Sequence, residues 1–508
     1  MLIGEVIMTE SQSKLQINSN KLPKWAKILF LSLPVFISFF QVRVIDNDFF
    51  FLHATGNYIL NHGIPYTDIL SMHSSMKIIV QQWLSSIVFY FSYWFLGEYG
   101  VFILLYLVNI LIIFLTYRLL SLITDNEIIA APLTAIINIL IFDAFIVTRP
   151  QIFTYAILLA EVCLLEKYVK TGKIKHLIVI PFLSLLLINM HAAMWPMLLV
   201  LMLPYLVSAV PLNTKLIKHE ATGDLLITVA IFIVSIVIGM LNPYGLDGML
   251  YLTKSYGNSE FDVITEMKPT SLSGWEGIIF FSVFAVIFLV LFFDKKKIFA
   301  VRFFLLFAGT FVLGLLQVKG IPYFLLFGVP ASTYFVKNFN IADLLQKMKT
   351  IISKRIKVLI CVFLCCALLW ICESRFMITT NAKNNTMAHY GELYKMVQIM
   401  NESDEPVVLY SNFNDGQFYE FFGYHPYIDG RAELFLASNN YEYDYFGEYW
   451  SLLHGAYFYR AFIDKYQFNY LALSKGLDSY MYVSLTHDPD FKIVYESSDV
   501  ILFVRNSQ

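Results

Sequence analysis

Asp46 and Asp48, in "RVIDNDFFFLHATGNYILNHGIPYTDIL", follow directly on the first long apolar run of the chain. A carboxylate pair emerging from hydrocarbon is costly to keep, so it calls for a reason. Two residues apart, the side chains point the same way on an extended segment and splay apart on a helix. Such a pair can act as a general base toward a hydroxyl, or hold a divalent cation such as magnesium or manganese. It can also simply cap the helix that follows, a position Asp favours. A cap needs one Asp and this loop has two, which favours the chemical reading.

Further residues of unusual type recur near the ends of apolar runs. Arg149, in "FIVTRPQIF", suits bidentate binding of a lipid phosphate or ordinary snorkelling to headgroups. His191, in "LLINMHAAMW", sits among small residues that let helices approach closely, as a functional ring or as an interhelical hydrogen-bonding group. Lys319, in "LGLLQVKGIPYF", is the only charge between two apolar runs. It fits a phosphate contact or topological punctuation. The 242–274 loop carries Glu260, Asp262, Glu266 and Lys268, and loops of that length are often lids. His53 is expected on the water side of an interfacial helix. "NFNDGQF" and "YIDGRAELF" each hold an Asp-Gly turn signal, and Asp429 with Arg431 is a candidate for sugar hydroxyls.

These residues need a scaffold, and composition names it. Of 508 residues, 58% are hydrophobic and 15% charged, and the net charge of −2 argues against a nucleic-acid partner. Apolar runs near bilayer-crossing length fall at 25–43, 80–97, 100–120, 127–147, 150–167, 176–190, 192–210, 224–242, 275–293, 298–317, 319–336 and 356–373. A polytopic α-helical membrane protein of about 11–13 spans is expected. Lysine-rich segments set its orientation. Lys21, Lys24 and Lys27 place residues 1–24 in the cytoplasm, but the parity conflicts with the inside position of Lys170 and its neighbours. One early run must therefore be split or re-entrant, and 120–150, interrupted by Pro132, is the expected place. The first outside loop, 44–79, then shares a face with Arg149, His191, Lys319 and the C-terminal part. From 374 to 508 the chain turns polar and tyrosine-rich, with short β-type runs, which predicts a small extracytoplasmic α/β domain ending in a hairpin. The five cysteines lie in or beside apolar runs and form no disulfide or metal framework.

In order along the chain, "DNDFFFLHATGNYILNHGIPYTDILSMHS", "QQWLSSIVFY", "TRPQIFTYAIL", "INMHAAMWPML", "LNPYG", "VKGIPYF", "NDGQF", "YIDGRAEL" and "VYESSDVILFVR" resemble the multi-spanning GT-C type glycosyltransferases, specifically a bacterial inner-membrane group. The resemblance implies a 25–373 membrane module and a sugar donor linked to polyprenyl phosphate. Asp46 or Asp48 then becomes the catalytic base, and Arg149, His191 and Lys319 donor or acceptor contacts. One departure stands out: Gln82 precedes the tryptophan of "QQWL", where an acidic residue is expected in relatives.

Two classes of function follow. The first is a glycosyltransferase of the plasma membrane, acting on a glycan, polymer or protein acceptor outside the cytoplasm. The implied reaction is an inverting displacement in which a cation is compatible but not required. The second is a non-catalytic membrane protein, either a transporter of lipid-linked or polysaccharide material or an envelope-assembly scaffold. No Walker A, dinucleotide, HExxH or GxSxG motif is present.

Overall fold

The computed structural model describes residues 21–39, 43–210, 223–255, 268–293, 300–335 and 354–506. Each of the twelve apolar runs is helical there. The helices are Lys24–Phe39, Trp83–Leu96, Glu98–Thr124, Glu127–Phe145, Gln151–Thr171, Ile180–Met190, Trp195–Ser208, Leu225–Ile238, Trp275–Phe293, Val301–Leu316, a helical stretch over 321–335 and the long helix Lys354–Asn401. Among the described residues, Glu98–Thr124 and Trp275–Phe292 are by length and composition long and apolar enough to cross a membrane, and six shorter apolar helices accompany them.

The bundle is inverted relative to a water-soluble core. Leu226, Phe95, Phe292 and Val237 stand exposed, whereas Asn109, Thr116, Asn138, Ser184 and the Glu166–Arg302 ion pair (3.0 Å) are buried. In water such an apolar exterior would aggregate; against hydrocarbon it costs nothing, and the polar groups turn inward.

Contacts sort the helix ends into two groups. At one end Lys27 pairs with Glu127 (2.6 Å), Lys170 with Asp125 (2.6 Å), and the Tyr168 hydroxyl accepts the Asp224 N–H. At the other, Arg149 meets Asp46 (2.7 Å), and Tyr244 donates to the Pro65 carbonyl (2.7 Å). Glu98–Thr124 spans roughly 40 Å at 1.5 Å per residue, and its last residue adjoins the Asp125 end. Its first residue therefore lies at the Asp46 end. Trp83, at the start of the preceding helix, donates to Asn189 beside His191, at that same end. Thus Trp83–Leu96, only 14 residues long, begins and ends on one side.

The expected interruption at Pro132 is absent, since Glu127–Phe145 is one helix with that proline inside it, and the helix with both ends on one side is Trp83–Leu96. A Cβ on Gly56 would lie 2.3 Å from the Ser86 carbonyl oxygen, so the loop helix Asp48–His62 rests flat against Trp83–Leu96 by virtue of that glycine. The loop helix is also not an interfacial one. Phe50 and Phe51 are buried, and Phe50 meets Tyr390 and Phe418 edge-on at 5.1 Å each.

The C-terminal domain is a four-stranded sheet in the order β1-β2-β4-β3, with β1 Leu409–Ser411, β2 Tyr470–Ser474, β3 Phe491–Glu496 and β4 Val500–Arg505. β1 runs parallel to β2; the other pairs are antiparallel, and β3–β4 is the expected hairpin. "PYIDG" is not a strand. Instead, residues 64–80 of the first loop enter this domain. Met72 N–H reaches the Pro426 carbonyl, His425 the Leu70 carbonyl, and His73 stacks on Tyr445 at 3.8 Å.

Candidate active site

A cavity of about 980 Å³ opens where the first loop, the Arg149 turn, the His191 turn and the Lys319 turn converge. Its polar end is lined by Asp46, Arg149, His191, Lys268, Glu276 and Lys319. Its flank is apolar, with Phe145, Met194, Met197, Val200 and Leu313. Val200 is 49% exposed on the outer surface of the bundle, so this flank reaches the side of the helix barrel.

Asp46 lies on non-helical chain just before the loop helix. Its N–H donates to Thr148 Oγ1 (2.8 Å), fixing it to the segment that carries Arg149. Its Oδ1 accepts from Arg149 Nε (2.7 Å) and from Asp48 N–H (3.1 Å). The second bond is the capping role foreseen for an Asp here, and it occupies only one oxygen. Asp46 Oδ2 has no hydrogen-bond partner among the described residues. Asp48 stands in the first turn of the loop helix, where the helix dipole favours negative charge. Its Oδ2 also lies 3.2 Å from Arg149 Nε, but it does not line the cavity.

His191 interrupts the helical path between Ile180–Met190 and Trp195–Ser208, and its ring is buried with Nδ1 2.9 Å from Thr154 Oγ1. The turn is held from outside: Gln81 accepts the Ala192 N–H on its carbonyl (2.8 Å) and the Ala193 N–H on its side chain (3.1 Å). Lys319 sits in the short turn 318–320, where Gly320 packs against the Leu313 carbonyl with no room for a Cβ. The Val318 N–H bonds to the Lys268 carbonyl (3.2 Å), which brings the two lysines to the same rim.

The structure therefore joins Asp46, Arg149, His191 and Lys319 in one cavity and leaves the other candidates elsewhere. His53 faces an aromatic box of Phe49, Tyr90, Tyr93 and Phe421, with Nδ1 buried and unbonded among the described residues. Burial lowers its pKa to about 4, so it stays neutral and does not face water as expected. Gln82 sits at the N-terminus of Trp83–Leu96, its carbonyl accepting from Ser86. Its neighbour Gln81 is the residue that reaches the His191 turn. Glu266 lies outside the described residues. Asp429 and Arg431 are committed to each other: Arg431 donates to both Asp429 oxygens (2.8 and 2.6 Å) and to Asp68 (2.7 Å), and all three side chains are buried. They do not line the cavity.

Gln81, Thr148, Thr154 and Tyr390 escaped the sequence reading. Tyr390, on the long helix, is clasped between Phe50 and Phe418. Burial, then the charges of Asp46, Asp415 and Asp48, hold its phenol proton far above the usual range. It is a neutral group set close to the carboxylate pair. No local pattern marks it; only the docking of the C-terminal domain brings it there. The first loop meets the "NDGQF" loop through the Asn47 amide and the Asn414 carbonyl.

A divalent cation does not fit the pair well. Magnesium or calcium wants about six oxygen ligands, and here Arg149 Nε already stands between the two carboxylates. Among the described residues, no group of three or more His, Cys, Asp or Glu is placed to hold a metal.

Solved structures share this architecture, two among them being the following. The Archaeoglobus fulgidus oligosaccharyltransferase, tethered by a disulfide bond to an acceptor peptide containing the NVT sequon, aligns with a TM-score of 0.54 and 12% identity over 96% of this chain and 74% of its own. ArnT from Cupriavidus metallidurans, bound to undecaprenyl phosphate, aligns with a TM-score of 0.50 and 12% identity over 94% of this chain and 97% of its own. No family model and no curated protein matches the sequence.

Proposed function

We propose that this chain, whose fold is that of the GT-C glycosyltransferases, is a membrane enzyme that transfers a sugar from a polyprenyl-phosphate donor to an acceptor outside the cytoplasm. The observation that carries the reading is the convergence of Asp46, Arg149, His191 and Lys319, from four distant turns, on one cavity with an apolar flank. A lipid phosphate has the matching halves. Its charged head would meet Lys319, Lys268 and Arg149, while its isoprenoid tail would leave along Met197 and Val200 toward the bilayer. That ArnT, of the same fold, binds undecaprenyl phosphate supports this assignment.

The two-ended sorting of contacts supports eleven crossings. Trp83–Leu96 is then the interfacial exception, the lysine-rich end is cytoplasmic and the C-terminal domain lies outside. The odd count reconciles the orientation of the N-terminus with that of the later loops.

In the proposed reaction the acceptor hydroxyl loses its proton to Asp46 Oδ2 as its oxygen attacks the anomeric carbon. The bond from that carbon to the phosphate oxygen breaks, and the configuration inverts. Lysines placed where charge develops on the departing phosphate stabilise that state more than the ground state. Arg149 and the Asp48 N–H hold the carboxylate so that Oδ2, not Oδ1, remains for the proton.

One observation favours the transport alternative. Glu161, buried in Gln151–Thr171, has neither carboxyl oxygen hydrogen-bonded among the described residues. A polar group of that kind inside a span is a functional flag. Transport would require a polar path continuing from it, with a conformer open to the cytoplasm.

The deciding experiment complements a deletion strain with wild type, Asp46→Asn and Asp48→Asn, each checked for membrane abundance. Envelope glycans and polyprenyl-linked sugars are then read by mass spectrometry. Asp46→Asn is expected to reproduce the deletion profile, with transfer reduced about 10²–10⁴-fold, and the missing sugar identifies the donor. If both variants match wild type, the transferase reading is lost.

A further inference from the structure

We propose that Arg149 is the resident cation of this site: its guanidinium takes the position between Asp46 and Asp48 that a divalent metal would otherwise occupy, so the site works without one. The functional meaning rests on the transferase reading above, but the test does not.

Three observations carry it. First, Arg149 Nε is 2.7 Å from Asp46 Oδ1 and 3.2 Å from Asp48 Oδ2, within ion-pair reach of both carboxylates. A metal bridging the same two oxygens would have to displace it. Second, Asp46 Oδ1 already accepts two N–H donors, from Arg149 and from the Asp48 backbone, so its lone pairs are used. Third, the arrangement is built in advance. The Asp46 N–H donates to the side-chain hydroxyl of Thr148, the residue before Arg149, so the segments carrying the carboxylate and the guanidinium are fixed to one another.

The chemistry of arginine makes the substitution effective. Its side chain keeps its charge at any working pH, and its planar fork matches carboxylate geometry. Two like charges two residues apart repel; a fixed positive group between them removes the repulsion without capture of an ion from the medium. A hard cation binds oxygen alone and would compete for Oδ2, the oxygen left for the acceptor proton.

The test is manganese binding by the detergent-purified full chain, followed by electron paramagnetic resonance of free Mn²⁺. Wild type is expected to leave the Mn²⁺ signal unchanged. Arg149→Met, which strips the guanidinium from the pair, is expected to bind Mn²⁺ at least about tenfold tighter than wild type, and Asp46→Asn in that background to abolish the gain. Binding by wild type that disappears in Asp46→Asn overturns the proposal, whatever the variant does. So does an Arg149→Met chain that elutes as a folded monodisperse species and still binds no Mn²⁺. Neither result touches the transferase reading, which stands or falls on the glycan profile of Asp46→Asn. Conversely, a wild-type profile for that variant leaves the manganese result intact.

Discussion

Arg149 and Arg431 each sit among carboxylates near where the first loop meets the C-terminal domain, and their surroundings differ in one respect. The Arg149 side chain is 20% exposed, with Asp46 at 21%, and both line a cavity large enough for a lipid headgroup. The Arg431 side chain is 9% exposed, and its partners Asp68, Asp429 and Glu420 are at 0%. The first cluster leaves a carboxylate oxygen toward open space, whereas the second saturates its guanidinium with Asp429 and Asp68 and excludes water. On the proposed reading, identical residue types therefore serve reaction in one place and attachment in the other. What Arg431 attaches is the first loop: Asp68 lies at 64–80, and Asp429 and Glu420 belong to the outer domain. That clamp holds the outer domain over Asp46 and Asp48.

The comparison breaks most visibly at Arg431. Arg431→Met leaves three buried acids without their cation, which costs about 3–5 kcal/mol when a single partner of a buried cluster is lost. We expect a lower melting temperature of the detergent-solubilised chain and lower membrane abundance, with transfer per surviving molecule close to wild type. A variant that is fully stable but inactive would move Arg431 into the active site and erase the distinction. Lys319→Gln should behave in the opposite way. Normal abundance and melting temperature are expected, with transfer lowered about 10²-fold, as for loss of one charge-stabilising group. Equal activity would remove Lys319 from the phosphate and weaken the assignment of the cavity.

A third, smaller effect concerns how the outer domain is latched to the long helix. His389 bonds Asp415 through Nε2 and Asp499 through Nδ1, each at 2.8 Å. The hydrogen bond to Asp415 chiefly raises its pKa to about 9, against the opposing effect of burial. A histidine whose folded pKa is raised stabilises fully below its unfolded value near 6.5, and the contribution is lost as the pH climbs through about 9. Asp478, pushed up to about 7 by burial, acts in the same sense at lower pH, since its folded form holds the proton longer. The melting temperature should therefore fall between pH 6.5 and 9.5, and His389→Gln should flatten that fall. With Asp499 largely exposed, about 1 kcal/mol, or roughly 2–4 °C, is the expected size. An unchanged slope in His389→Gln would assign the pH dependence to other groups.

Much of this was legible in the chain and some was not, for physical reasons. Helical runs were readable because hydrophobic length is a property of contiguous sequence. The cavity residues were readable because Asp46, Arg149, His191 and Lys319 each interrupt an apolar run, where polarity is costly. The one-sided placement of Trp83–Leu96 was not readable. Trp83–Leu96 is as apolar as its neighbours, and its course is dictated by Gly56 beneath Ser86 and by the Asn189 bond to Trp83. Asp429 and Arg431 were misread for a related reason. Sequence marks them as polar and close together, but burial by Asp68, more than three hundred and fifty residues upstream, is a tertiary fact. Tyr390 and the insertion of 64–80 into the outer domain share that origin.

The smallest predicted effect tests the Arg431 cluster most finely. One guanidinium against three ionised buried carboxylates would leave an excess of two negative charges in a dry interior, and each acid that keeps its proton lowers that excess by one. Glu420 is the acid that burial, then the neighbouring Asp429, pushes well above the carboxylate range, toward its neutral form. Asp68 goes the other way. Burial opposes ionisation, but Arg431 and Ser71 together outweigh it and leave Asp68 charged. Glu420→Gln then replaces one neutral donor by another of the same shape, and the melting temperature should move by no more than the equivalent of about 0.5 kcal/mol. Asp429→Asn, which removes one of the two oxygens that accept from Arg431, should cost several times more. A Glu420→Gln chain that unfolds as readily as Arg431→Met would mean that Glu420 is ionised. The cluster would then need a cation beyond Arg431, and its likeness to the Arg149 site would be closer than its burial implies.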